Sequence, residues 1–248
     1  MDVLLLRFDA PLMSFGAPIV DNRGVIQPYP ALSMMTGMLG NALGFDHSEF
    51  ERLDGLQKRL RYASRQDRHG EKITDFQTVD FTQEHLDKSK AWTTRGTIEG
   101  RSTRLQKQTH IRERDYWADS VHTIALTVDG KGESPSVDEL ERALQHPERP
   151  LFIGRKTCLP AVPMHLGRIE AASLVDALER APLAERADEG PTYRAWWPCE
   201  PEADEGADIV KPITDRRDWR NQIHVGERWI AEGSITVQNE ESDDDGIQ

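Results

Sequence analysis

The chain opens on an apolar run, Val3, Leu4, Leu5, Leu6 and Phe8, with Pro11 beyond it. Unbroken apolarity over so short a stretch fits a central strand buried on both faces. A loop follows with Pro11, Gly16, Pro18, Gly24, Pro28 and Pro30, and then Leu32, Met35, Leu39, Ala42 and Leu43 recur at helical spacing over 31–43 until Gly44 ends the helix. Gly37 and Gly40 lie inside that helix at a cost of about 1 kcal/mol each relative to alanine, so a neighbouring element or a ligand comes close to that face. Phe50, Leu53, Leu56 and Leu60 mark a second helix. Strands are expected over 60–64 and 72–79 about a turn at His69–Gly70, and over 121–128, where Ile124, Leu126 and Val128 alternate. Ser136 with Glu139 three residues on has the form of a capping box, and Val137, Leu140 and Leu144 extend a helical face to Pro147. Further strands are expected over 151–153 and 161–169 and a short helix over 173–181. The remainder, with Trp196, Trp197, Trp219 and Trp229, reads as loops and a few strands.

Strand, helix, strand, strand, helix, strand is the order of the split βαβ plan, an α+β, ferredoxin-like fold. Between its middle strands, residues 88–108 are almost devoid of apolar side chains. Thr93, Thr94, Thr97, Ser102 and Thr103 alternate there with basic residues, which suits a long protruding β-hairpin or a loop. A length of 248 residues allows one large domain or two small ones. No apolar run approaches the roughly 20 residues of a bilayer span, and the apolar opening lacks the basic flank and cleavage site of a secretory signal. Cys158 and Cys199 are too few for a disulfide framework, so a cytoplasmic setting without membrane is expected.

The net charge of −12 taken alone opposes nucleic-acid binding, but its distribution reverses the inference. The tail contributes −5 through Glu240, Glu241, Asp243, Asp244 and Asp245, and 185–208 contributes −6, with eight acids against Arg186 and Arg194. Over 88–114, in contrast, Lys88, Lys90, Arg95, Arg101, Arg104, Lys107, Arg112 and Arg114 face only Glu99 and Glu113, giving +6. Several cations on one element neutralise several phosphates, and Trp92, Tyr116 and Trp117 lie near enough in sequence to stack bases. Gly154, Arg155, Lys156 and Thr157 form a second, shorter phosphate candidate, in which the glycine admits backbone N–H groups to the anion. Neither H-E-x-x-H, nor H-x-E with paired cysteines, nor G-x-S-x-G, nor a P-loop occurs, so no metal or cofactor is expected and metal and serine hydrolases recede. His110 and His122 flank the basic stretch. They are either an acid and base for RNA cleavage or a phosphate contact and a strand histidine.

The motifs D-A-P-L-M-S-F-G at 9–16, P-A-L-S-M-M-T-G-M-L-G-N-A-L-G at 30–44, D-F-Q-T-V at 75–79, R-D-Y-W-A-D at 114–119, L-F-I-G-R-K-T-C-L-P at 151–160 and R-D-W-R-N-Q-I-H-V-G-E-R at 217–228, in that order, resemble the CasD family. Its members are subunits of the type I-E CRISPR surveillance complex Cascade that hold the 5′ handle of the crRNA. The resemblance implies a RAMP-type ferredoxin-like palm over 1–170, a β-hairpin thumb inserted at about 80–113, and a small C-terminal region over 171–248 with an acidic tail. It implies the crRNA handle, a backbone subunit and the large subunit as partners and, through the complex, target DNA. Carried over residue by residue, Lys88, Arg101, Arg104, Lys107, His110 and Arg112 belong to the thumb, and Arg114 and Tyr116 lie where it rejoins the palm. Met13, Phe15, Gly16 and Ser33 line the handle site, with Gly154, Arg155 and Lys156 as its glycine-rich loop. The family's arginine just after the proline that opens the first helix is absent, since Ala31, Leu32, Ser33 and Met34 follow Pro30; Arg23 or Arg155 is the replacement. Phe15 stands in place of a tryptophan and keeps an aromatic surface. Gln77 stands where many relatives have histidine, and glutamine cannot move a proton, which favours a non-catalytic scaffold over the metal-independent crRNA-processing endoribonuclease of type I-C relatives.

Overall fold

The opening apolar run forms β1 (Asp2–Asp9), whose residues from Val3 onward are all buried. The computed structural model describes residues 1–17, 23–79, 90–92, 98–100, 110–130, 132–201 and 206–238. After β1 come the short strands β2 (Leu12–Met13) and β3 (Arg23–Gly24), helices α1 (Leu32–Ala42) and α2 (Phe50–Arg59), and the strands β4 (Leu60–Arg68) and β5 (Glu71–Val79). A short antiparallel pair, β6 (Lys90–Trp92) and β7 (Ile98–Gly100), precedes β8 (His110–Ala118), β9 (Val121–Val128), α3 (Val137–Gln145), β10 (His165–Glu170) and α4 (Leu174–Arg180). The chain ends on β11 (Tyr193–Cys199), β12 (Ile209–Ile213), the two-residue strands β13 (Arg217–Asp218) and β14 (Ile223–His224), and β15 (Arg228–Ile235).

Seven strands make one antiparallel sheet in the order β10-β1-β9-β4-β11-β15-β12. Its first four, with α1 and α2 between β1 and β4 and α3 between β9 and β10, are the expected split βαβ unit. The residues after 171 add three strands to the same sheet, more than the loops and few strands expected of them. Alternate residues sort the core into two layers. Leu4, Leu6, Phe8, Leu60, Tyr62, Ile124 and Leu126 pack under α1 and α3, while Val3, Leu5, Ala63, Ala125, Ala195 and Ala231 face α4. The small side chains of that second face leave room for α4.

Local chemistry sets the helix ends. The Ser136–Glu139 capping box is present at α3, and the Ser173 side chain caps α4. Gly40 is explained by α2, because a Cβ there would stand 2.6 Å from a Leu53 methyl, and Gly37 by the Trp219 ring at 3.3 Å. Helix α1 has no side-chain cap of its own. Its first N–H groups go to Asp215, whose carboxylate accepts from Leu32 N at 2.8 Å and whose carbonyl accepts from Ser33 N at 3.0 Å.

Two expectations are corrected. Strand β4 runs past Ser64 to Arg68 although Arg65 and Asp67 are charged, because both are fully buried and satisfied by each other. Residues 151–153 are not a strand. The chain turns at Gly154, and Ile153 is bonded both to Cys158 O (2.9 Å) and, through its own carbonyl, to Ser14 N (3.1 Å).

On the α4 side the sheet ends in a buried ion cluster. Asp67 accepts from Arg65 Nε (2.7 Å), Arg7 Nη1 (2.9 Å), Thr123 Oγ1 (2.8 Å) and Ala184 N (3.0 Å). The two arginines also donate to the carbonyls of Leu178 in α4 and of Ala181 and Pro182 just after it, while Arg7 Nε is buried without a partner among the described residues. Removing the carboxylate would leave two buried guanidinium groups without an anion. Asp67→Ala is expected to lower unfolding free energy by about 3–5 kcal/mol, measured by denaturant titration; a loss below about 1 kcal/mol would contradict this account.

Candidate nucleic-acid interface

Three separated stretches of the sequence meet at one pocket of about 440 Å³. The end of β2 brings Ser14 and Gly16, the first half of α1 brings Ser33, Met34 and Gly37, and the 151–158 loop brings Phe152, Gly154, Arg155 and Lys156. Gly16, Ser33, Gly154, Arg155 and Lys156, all expected at a phosphate or handle site, thus share one concavity. Among the described residues its lining holds Arg155, Lys156, Arg217, His47 and His224 and no carboxylate.

The loop is held by backbone contact. Gly154 has φ +99°, and a Cβ there would stand 1.9 Å from the Ser14 carbonyl oxygen. The close approach inferred for this glycine is therefore made by the chain itself. Arg155 donates to the carbonyls of Gly24 (3.0 Å) and Asp115 (2.8 Å), and its guanidinium lies 4.7 Å from the centre of the Tyr116 ring. Lys156 is exposed at the rim.

Behind this rim, Asp115 is fully buried. It accepts from Thr74 Oγ1 (2.8 Å), pairs with Lys72 (3.0 Å) and is approached by Arg23 at 3.4 Å. Burial alone would raise its pKa, but the hydrogen bonds from Lys72, Thr74 and Arg23 outweigh it and hold the carboxyl below its ordinary value. Arg23 is thereby tethered, though half its side chain remains exposed. Arg114 stands beside Gly24, and its Nη1 is buried without a hydrogen-bond partner among the described residues. Arg112 lies on β8 opposite Gln77 of β5, and Gln77 donates to Asp75 at 2.8 Å.

The aromatic and apolar candidates are corrected. Met13 and Phe15 are fully buried, and Tyr116 is 4% exposed beneath Arg155, so these side chains shape the interface from below and present no face to a base. Trp117 is half-buried, with its Nε1 donating to Gln27 O at 2.7 Å. His122 is buried between Phe15 (ring centres 5.0 Å apart) and Trp196 (6.2 Å), with Nδ1 3.1 Å from Ser64 Oγ. Burial drives its pKa down to about 3, against a smaller opposing effect of Asp67. It is a neutral core residue and touches no solvent-facing phosphate. Lys88, Arg101, Arg104 and Lys107 lie outside the described residues, as do the side chains of Trp92 and His110.

Arg217 and His224 were not singled out from the sequence. They are cross-strand partners on β13 and β14 and both line the pocket. His224 Nε2 is 3.5 Å from Ser33 Oγ. Burial and the neighbouring Arg217 charge lower its pKa, partly opposed by Asp215.

A family model described as CRISPR-associated protein (Cas_Cas5) matches residues 3–231. The CRISPR system Cascade subunit CasD of Escherichia coli (strain K12) is 27% identical over 175 residues, 71% of this chain and 75% of that protein. A chain of a CRISPR RNA-guided surveillance complex superposes with a TM-score of 0.67 at 24% identity, covering 95% of this chain and 90% of its own length. A second, described as a crystal structure of a Cas protein, gives a TM-score of 0.62 at 23% identity over 94% and 95% of the two chains. At these identities the superpositions speak for the fold.

Two outcomes follow from the geometry. Gly154→Ala meets both the positive φ and the Ser14 carbonyl, so denaturant titration should show a loss of more than about 1 kcal/mol. His122 takes no proton until about pH 3 when folded, whereas an unfolded histidine takes one below about pH 6.5. Stability should therefore fall as pH drops through that window, by up to about 1.4 kcal/mol per pH unit from this group, and His122→Leu should flatten the acid limb; an unchanged limb would show that the burial has been misjudged.

Proposed function

The chain belongs to the Cas_Cas5 family of CRISPR-associated proteins, and on that premise we propose that it is a CasD-like, non-catalytic subunit of a Cascade-type surveillance complex that holds the crRNA 5′ handle. The cation-lined pocket carries this reading. In a chain of net charge −12, a concavity lined by Arg155, Lys156 and Arg217, with no Asp or Glu among its described lining residues, is a place where a phosphate backbone is attracted rather than repelled. The handle lies against the 9–16 segment, the start of α1 and the 154–156 loop, all on a palm spanning 1–170. A thumb over about 80–113 supplies Lys88, Arg101, Arg104, Lys107, His110 and Arg112 to the backbone, and Arg23 and Arg114 support its base. The region 171–248 completes the palm and ends in a tail whose acids stay away from RNA. The backbone and large subunits are its protein partners, target DNA is reached through the complex, and the setting is the cytoplasm. Among the described residues no helix is long and apolar enough to cross a membrane.

Absence of cutting is supported by the side chains available for proton transfer. Metal-independent RNA cleavage needs a base for the 2′-hydroxyl and an acid for the leaving oxygen. Of the candidates weighed from the sequence, His122 is sealed in the core and Gln77 cannot titrate; His47 and His224 line the pocket, so cleavage of a repeat RNA is the deciding test.

The purified full chain should bind a single-stranded handle RNA with steep salt dependence, and the double variant Arg101→Ala, Arg104→Ala should lower the log–log slope by about 1.4, at about 0.7 per lost phosphate contact. An unchanged slope would remove the thumb residues from the site. Incubation with a complete repeat RNA in the absence of metal should leave it whole; cleavage at the handle boundary would replace the scaffold reading with that of an endoribonuclease.

A further inference from the structure

The segment 215–228 behaves as a strap that closes the pocket from the C-terminal side. At one end Asp215 holds the first N–H groups of α1 and is itself gripped by Arg228, with Nη2–Oδ2 at 2.7 Å. In the middle, Gln57 of α2 makes a reciprocal pair with the Arg217 backbone, accepting from Arg217 N at 3.1 Å and donating to Arg217 O at 2.9 Å. Trp219 is buried with Phe45 and Leu53 and covers Gly37. Three anchors of different chemistry therefore fix where the Arg217 side chain begins.

The side chain itself is aimed and left electrically open. Nη2 donates to Gln222 Oε1 at 2.6 Å, and the guanidinium sits 5.5 Å from the centre of the Trp219 ring. Nε is buried with no hydrogen-bond partner among the described residues. The two carboxylates nearest in sequence are engaged elsewhere, Asp215 with Arg228 and α1, and Asp218 with the backbone and side-chain nitrogens of Asn221. No described lining residue of the pocket is acidic. A fixed cation on the wall of this pocket, with an unpaired buried donor, lacks an acceptor oxygen carrying negative charge among the described residues.

We propose that Arg217, delivered by this strap, is a phosphate-binding residue of the handle site, with its cross-strand partner His224 and Ser33 beside the same phosphodiester. The assignment rests on the handle-binding reading above and adds to it a contact from the 171–248 region, to which that reading gives no RNA contact. The ligand group is one phosphodiester of single-stranded RNA. The guanidinium meets its oxygens through Nε and the free edge of the fork.

The test is salt-dependent binding of the single-stranded handle RNA by the full chain. Arg217→Gln should lower the log–log slope by about 0.7 relative to the unsubstituted protein, and Arg217→Lys, which keeps the charge, should restore it. Arg220→Gln is the matched control. It removes the same charge from the same strap, but that side chain is exposed over Phe50 and does not line the pocket, so its slope should be unchanged. RNA binding with an unaltered slope in Arg217→Gln would overturn the assignment and leave the handle reading standing. Equal loss in the Gln and Lys variants would show a detached strap rather than a missing phosphate contact, which also overturns it. No salt-dependent binding by the unsubstituted chain would overturn both.

Discussion

One buried carboxylate, Asp67, fixes how the α4 layer meets the sheet. Two guanidinium groups converge on it where exposure is zero or nearly so, and such a cluster is tolerated only when its charges are paired and most of its donors are satisfied. The carbonyls of Leu178 in α4 and of Ala181 and Pro182 just after it take the remaining Nη donors, leaving Arg7 Nε as the one donor of the cluster without a partner among the described residues. Fixing α4 fixes the alanine-lined face of the sheet, and with it the path of residues 181–193 into β11. The three added strands depend on that path, because β11 joins the sheet only through β4, the strand that carries Arg65 and Asp67.

A second carboxylate does comparable work at the opposite face. Helix α1 begins with Ala31 and Leu32 after a proline and has no capping side chain, so its N-terminus would be unsatisfied without Asp215. The helix start and the C-terminal strap are thus stabilised by the same bonds, and neither is placed without the other. The consequence for the site is direct. The anion attraction of the α1 N-terminus is spent on Asp215, so the positive charge at the pocket comes from side chains on the loop and strap instead.

The sequence patterns that were legible are those in which local chemistry and burial agree. The apolar run of β1, the alternation of β9, the α3 capping box and the α1 periodicity all appear where they were expected. So does the βαββαβ order. The misses share a cause, which is that partners remote in sequence decide the outcome. Arg65 and Asp67 look like the end of a strand until α4 supplies their partners, 113–117 residues away. Residues 151–153 look like a strand until Ser14 takes the Ile153 carbonyl. Met13 and Phe15 were placed by motif alone, and motif does not say which way a side chain points. Arg217 and His224 belong to the 217–228 motif, but the motif does not say what either side chain reaches, and the anchors at Gln57 and Asp215 bring them to the pocket.

What separates the arginines of the pocket from the others is what holds them. Arg168 is paired with Asp2 and Asp138, Arg186 with Asp9 and Asp119, and Arg194 with Glu232. Those pairs cancel charge and leave little field for a polyanion. Arg155 is held by two carbonyls and a tyrosine ring, and Arg217 by an amide and a tryptophan ring, which orient a guanidinium without neutralising it. Carbonyls and ring faces carry no net charge, so the full positive charge of both groups remains available across the pocket. In an acidic protein this partition leaves Arg155 and Arg217 as two oriented cations, neutralised by no carboxylate among the described residues, at one pocket.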